Sequence, residues 1–210
     1  MNKLRLKTKQ LYKGTSTKTY SIKNKKVFIL NKRSHKEYTE LLEIDNSIKR
    51  FEVIEEDIAS ISLTIFGKSL PFFLVQTDKG TKEIHIIVSR YDQSRLDECL
   101  VAKAQRIASN LQIEIIFIPE SSIEGNPIIR NAIQLRPWLS HSLKPHAIRK
   151  VTRLVNKTVS TVGELLNAAN SIGEDPSIIH VAIANRLLIA DLSIPYGINT
   201  TVTLNNKQRA

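Results

Sequence analysis

Two apolar runs, Leu70-Pro71-Phe72-Phe73-Leu74-Val75 and Glu83-Ile84-His85-Ile86-Ile87-Val88-Ser89, flank a turn, Gln76-Thr77-Asp78-Lys79-Gly80. Many metal-dependent nucleases open one strand of such a hairpin with Pro-Asp and end the next with Glu/Gln-x-Lys. The carboxylates hold divalent cations, and the lysine positions the attacking water or stabilises developing charge. This chain has Pro71 but places Phe72 after it, and its second strand ends in Ile87-Val88-Ser89. The hairpin therefore has the outline of a phosphodiester-cutting site without the groups that cut. Strand alternation sets Glu83, His85, Ile87 and Ser89 on one face and Ile84, Ile86 and Val88 on the other. A relocated site using Asp78, Glu83, His85 or Asp92 would have to lie on the first face. The bland alternative is a half-polar strand face covered by a helix.

Around the hairpin, the pattern predicts a mixed α/β core. Residues 27–30 read as a short strand. Ser34 can cap a helix over about 35–44, with Glu37 as the capping-box acid. Strands are expected at 51–58 and 61–66, a helix over 93–109, and a buried β-branched strand over 113–118. Gly125, Pro127, Pro137 and Pro145 mark a connector over 125–145, within which 128–135 can form a short helix. Trp138 there is read as packing at a domain junction, with a partner anchor as the alternative.

From Pro145 onward the order is that of a winged helix. A first helix runs to about 157, and Thr161-Val162-Gly163-Glu164 is a capping box for a second. Asp175-Pro176 opens a third, expected to reach Arg186. Strands at 187–192 and 199–204 would form the wing. The third helix is mostly apolar and offers only His180, Asn185 and Arg186 to base edges, which argues against strong sequence reading. Lys144, Arg149, Lys150 and Arg153 on the first helix suit phosphates better. A protein-binding role for this unit is the alternative.

The net charge of +11 is uneven. Residues 1–36 hold twelve Lys and Arg and no Asp or Glu, residues 37–139 are acidic overall, and residues 140–210 are basic again. An arm with Lys3, Arg5, Lys7 and Lys9, followed by Lys25, Lys26, Lys32 and Arg33, favours a polyanion, because neutralised phosphates release counterions. A solvated tail that only keeps the protein soluble is the alternative. The arm has no apolar helical face for a membrane, and no run is long enough to span one. A single Cys99 and no visible leader suit a reducing cytoplasm. Cys99 has no CxxC partner and is expected at the core or its boundary. No Walker A loop, GxSxG or GxGxxG is present, and the five His show no zinc-type pairing with cysteine.

The pieces together resemble the TnsA family, the endonuclease subunit of heteromeric cut-and-paste transposases. Ser34-His35-Lys36-Glu37 and Leu41-Leu42-Glu43-Ile44-Asp45-Asn46-Ser47-Ile48-Lys49-Arg50-Phe51 are similar to its "S-x-x-E … LLE-x-D-x-x-V-x-x-F" opening. Glu114-Ile115-Ile116-Phe117-Ile118 and Pro119-Glu120-Ser121-Ser122-Ile123 are similar to its "F-x-V-V-T-(D/E)-x-x-I" passage. The likeness covers roughly residues 20–205. It implies a restriction-endonuclease-like core at 21–136, a basic arm at 1–20 and a winged-helix-like domain at 137–210. It also implies a site in which Glu37 fits the first-helix acid, while the other acid and lysine positions fall on Phe72, Ile87 and Ser89. One carboxylate is a poor Mg²⁺ site. The expectation is a non-cutting subunit without a metal or cofactor. It would bind transposon DNA and a transposase subunit, an AAA+ regulator or an active TnsA-like paralogue. The alternatives are an Mg²⁺-dependent nuclease with a displaced site and a standalone DNA-binding regulator.

Overall fold

The computed structural model describes residues 16–54, 72–94, 96, 98–110, 112–155 and 160–205. The strand expected at 61–66, Pro71, and the arm residues Lys3, Arg5, Lys7 and Lys9 lie outside them. The first element is a hairpin, β1 (Thr17–Ser21) with β2 (Lys26–Leu30), paired antiparallel from Thr17↔Leu30 to Ser21↔Lys26. Residues 17–20, expected as part of the arm, are therefore strand, with Thr19 and Ser21 turned inward.

Helix α1 (Arg33–Ile44) follows. Its N-cap is Lys32, which makes no side-chain bond, so the capping box expected of Ser34 and Glu37 does not form. Both side chains have other partners. Ser34 Oγ donates to Glu120 Oε1 at 2.5 Å, and Glu37 accepts from Arg33 Nε at 2.7 Å. At the other end, Lys23 Nζ reaches back from the hairpin. It donates to the carbonyls of Leu42 (2.6 Å), Asp45 and Ile48 (2.8 Å). Helix-end carbonyls have no partner within the helix, and here a half-buried lysine supplies one.

The central sheet contains β3 (Ile48–Ile54), β4 (Phe72–Thr77), β5 (Lys82–Val88) and β6 (Glu114–Pro119), in that spatial order. The β3–β4 and β4–β5 pairs are antiparallel, while β5–β6 is parallel. A parallel pair needs a crossover. It comes as α2 (Arg90–Gln93) and α3 (Glu98–Asn110), where one helix over 93–109 was expected. Ser89 separates β5 from α2, its Oγ accepting from the Asp92 N–H at 3.2 Å. Helix α3 covers one sheet face, burying Phe72, Ile84, Ile86, Val88 and Ile115 against Ala104 and Ala108. The other face packs Phe51, Phe73, Val75 and Ile87 on Tyr38 and Leu42 of α1 and on Phe28. The mixed α/β core is present. Cys99, expected in or near the core, is exposed on α3.

After α4 (Glu120–Ile123) comes α5 (Pro127–Leu139), longer than the short helix expected in the connector. It starts on an Asn126 side-chain cap with Pro127 in its first turn, and it continues through Pro137. A proline in the last turn removes one backbone bond without ending the helix. The domain boundary expected at 136/137 thus falls inside α5. Its Ile129 belongs to the α1-side core, and its Leu135 belongs to the C-terminal core.

That second core is built by α6 (Pro145–Leu154), α7 (Val162–Ser171) and α8 (Ser177–Ala184). A small antiparallel sheet of β7 (Ser160–Thr161), β9 (Thr201–Leu204) and β8 (Leu188–Ala190), in that order, completes it. The capping box at Thr161 and Glu164 is present. Helix α8 ends at Ala184, short of Arg186, whose φ of 53° is left-handed backbone that a helix cannot continue through. No helix among the described residues is long and apolar enough to cross a membrane.

Candidate functional site

Position on the sheet decides what the hairpin can do. Ser34, near the start of α1, bonds Glu120, and Glu120 follows the last residue of β6. Pro119 in turn pairs with Val88. The N-terminus of α1 therefore lies at the end where β5 and β6 finish. Ser89 and Asp92 are at this end, with Ser89 Oγ donating to Asp92 Oδ2 at 2.6 Å. Glu37 is here too, at 15% side-chain exposure, and it pairs with Arg33 one turn back.

The three positions expected to hold the lost catalytic groups do not converge. Phe72 is buried on the α3 face, with Ile84, Ile86 and Val88. Ile87 is buried on the α1 face, with Tyr38, Phe73 and Ile123. An acid at Phe72 and an acid at Ile87 would point to opposite sides of the sheet. Ser89 is spent on capping α2. Among the described residues, no three His, Cys, Asp or Glu are grouped to hold a metal ion.

Of the residues proposed for a displaced site, Glu83 and His85 are in contact, but Asp78 and Asp92 lie toward opposite ends of β5. Asp78 is exposed in the β4–β5 turn, where its N–H donates to the Ser47 carbonyl at 2.7 Å. Glu83 is the second residue of β5, beside that turn, whereas Asp92 lies past the far end of the strand. The six steps from Glu83 to Ser89 span roughly 20 Å of extended chain. Asp78 and Glu83 cannot share an ion with Glu37 or Asp92.

The face that a relocated site would use does carry a polar chain. Tyr38 Oη lies 2.5 Å from His85 Nδ1, and His85 Nε2 lies 2.7 Å from Glu83 Oε2. A carboxylate only accepts, so Nε2 carries the ring proton and Nδ1 accepts from the tyrosine hydroxyl. Burial lowers the His85 pKa despite the hydrogen bond and charge of Glu83, and burial raises that of Tyr38. Neutral imidazole and protonated phenol are thus the resting forms. The chain satisfies buried polar groups between α1 and β5. His35, one turn before Tyr38, is 3% exposed and edge-on to Phe73 at 6.0 Å. Burial and the nearby Lys32 charge pull its pKa down to about 4, against an opposing pull from Glu120. A groove of about 700 Å³ opens at the opposite end of the sheet, among Thr81, Lys82, Gln105, Ser109, Gln112 and Glu114. None of the residues lining it was expected to form a site.

The basic residues fall into two groups. Lys26 pairs with Glu52 at 3.5 Å and lies over the Phe28 ring, Arg33 pairs with Glu37, and Lys150 pairs with Glu174. Lys25, Lys32, Lys144, Arg149 and Arg153 are exposed and in none of these pairs.

Several organising residues escaped the sequence reading. Arg136 on α5 pairs with buried Glu40 and donates to the Tyr20 carbonyl. Asn131, 2% exposed, donates to the carbonyls of Leu192 (2.8 Å) and Ile194 (2.6 Å) and accepts from Tyr196 N at 2.9 Å. Trp138 stacks on His180 with ring centroids 5.5 Å apart, and His180 Nδ1 meets Tyr196 Oη at 2.6 Å. The only advance signal was Trp138 at a junction, and it does pack against the C-terminal core. No protein-family model matches the chain, and comparison with curated proteins finds no match either.

Proposed function

We propose that this chain is a non-cutting, DNA-binding subunit with the architecture of the TnsA endonuclease subunit, working within a transposition complex. The observation that carries the reading is the pairing of a nuclease-like core order with an apolar site. Helix α1, strands β3, β4 and β5, helix α3 and strand β6 follow one another, with β3-β4-β5-β6 side by side and only β5–β6 parallel. That is the order of a restriction-endonuclease-like core. Where metal ligands would stand at its edge, Phe72 and Ile87 are buried apolar residues on opposite faces. The order α6, β7, α7, α8, β8, β9, with β9 between β7 and β8, supports a winged-helix reading of the C-terminal unit. The basic arm and the exposed basic residues supply attraction to phosphates. Partners consistent with the resemblance are a transposase subunit, an AAA+ regulator or an active TnsA-like paralogue.

The test is direct. Binding to duplex DNA is expected to weaken as salt rises from about 50 to 200 mM, with log K falling linearly in log salt. Supercoiled plasmid with Mg²⁺ or Mn²⁺ is expected to remain intact. Strand-specific nicking that disappears in Glu37→Ala would overturn the reading. A footprint at a promoter, with no association with transposon ends or transposase, would move the protein to the class of standalone regulators.

A further inference from the structure

In a DNA-reading winged helix the third helix enters the major groove. Here that helix is α8, and none of its residues is exposed. Helix α5 lies along it. Leu135 packs in one core with Ile179, Ala182 and Ile183, and Trp138 stacks on His180. The residues after α8 are taken as well. Asn185 Nδ2 donates to the His141 carbonyl at 2.9 Å, and Arg186 donates to the Ile44 carbonyl of α1 at 2.8 Å. Helix α5 is itself tied to α1 through Arg136 and Glu40. All three polar residues that the third helix offered to bases are therefore committed inside the molecule.

Helix α6 is the opposite case. Ala147 and Val151 are its buried side. His146, Arg149 and Arg153 are exposed and stand at i, i+3 and i+7, which is one stripe of a helix. Lys144 is exposed at its N-cap. Glu174 holds Lys150, but no carboxylate pairs with Arg149 or Arg153 among the described residues. From His146 to Arg153 the stripe is about 10 Å long, the rise of roughly three nucleotides along one DNA strand.

We propose that the α6 stripe of His146, Arg149 and Arg153 is the nucleic-acid contact of the C-terminal unit. It grips the phosphate backbone while α5 keeps the third helix out of the groove. The unit then binds DNA without reading sequence, and specificity must come from a partner. This inference rests on the DNA-binding reading above.

The experiment measures binding of the full chain to two labelled duplexes of unrelated sequence across a salt series. Wild type is compared with Arg149→Ala/Arg153→Ala and with Arg149→Lys/Arg153→Lys. The alanine pair is expected to lose about tenfold or more in affinity on both duplexes alike, and to flatten the log K against log salt slope by about 2. The lysine pair should keep most of the binding. Wild-type affinity and slope in the alanine pair would overturn this inference alone, leaving binding to the arm. A loss confined to one duplex would overturn it too, because it would mean base reading. Failure of the wild type to bind either duplex would overturn both this inference and the proposed function.

Discussion

At the scale of single residues, the site is defined by which face a side chain takes. Replacing Phe72, Ile87 and Ser89 by Asp, Glu and Lys would restore the nuclease motif in sequence. No metal-dependent nicking is expected from that triple variant, because residues 72 and 87 face opposite sides of the sheet. Phe72→Asp alone should cost about 4 kcal/mol or more in a urea melt, since it removes a buried ring and buries a carboxylate against α3. Nicking by the triple variant would show that the faces are not as described. His35 gives a prediction in pH. Its pKa is about 4 in the folded chain against an ordinary 6.5, so between these values the unfolded chain binds more protons. The neutral ring's contribution is whole above pH 6.5 and is lost as pH falls toward 4. Wild type should lose about 3 kcal/mol from this group between pH 7 and pH 4. His35→Gln should lack that part of the acid slope, and equal slopes in the two proteins would refute it. These features were only partly legible in the sequence. Alternation grouped Ile87 with Glu83 and His85 on one face, which the structure turns toward α1, but motif matching grouped Phe72 with it, and the two strands' faces relate only through their pairing register.

Among elements, α5 does the most and was the least visible. Its Gly- and Pro-rich surroundings read as a connector, and two prolines discouraged a long helix. Yet Pro127 stands in its first turn, where a helix tolerates proline, and the helix runs on through Pro137 for two more residues. Its polar residues act over distance. Asn131 bonds across 61 to 65 residues of sequence and Arg136 across 96 to 117, separations that local patterning does not encode. Helix α1 shows the converse, since a clear local signal at Ser34 and Glu37 lost to the longer-range bond with Glu120 and to the Arg33 pair. The capping box at Thr161 had no such competitor and formed as expected. Asn131→Ala is expected to cost about 2–3 kcal/mol, since three backbone groups of the turn after β8 lose their partner at a buried site. The same change should release Tyr196 from His180, altering the emission of Trp138, the chain's single tryptophan. A stability change within about 0.5 kcal/mol of zero would mean that water replaces the amide.

For the molecule as a whole, the question is whether the two cores are independent. Independence would suit the division expected at residues 136/137, within a connector over 125–145. Helix α5 argues against it, because one rigid helix inserts Ile129 into the first core and Leu135 into the second. Arg136 and Arg186 add direct ties, the first to Glu40 and the second to the last carbonyl of α1. Glu40 is 2% exposed, and burial raises its pKa against the pull of Arg136. Removing the arginine leaves that carboxylate buried without its partner, a change that costs about 3 kcal/mol or more. Wild type should then unfold in urea as one unit, with Trp138 fluorescence and far-UV circular dichroism giving the same midpoint. Arg136→Ala should lower both midpoints together. Two separated wild-type transitions, or a variant in which only one probe shifts, would show two domains that merely touch. A single transition also bears on the proposed function, because a C-terminal unit fused to the core would keep α8 packed against α5.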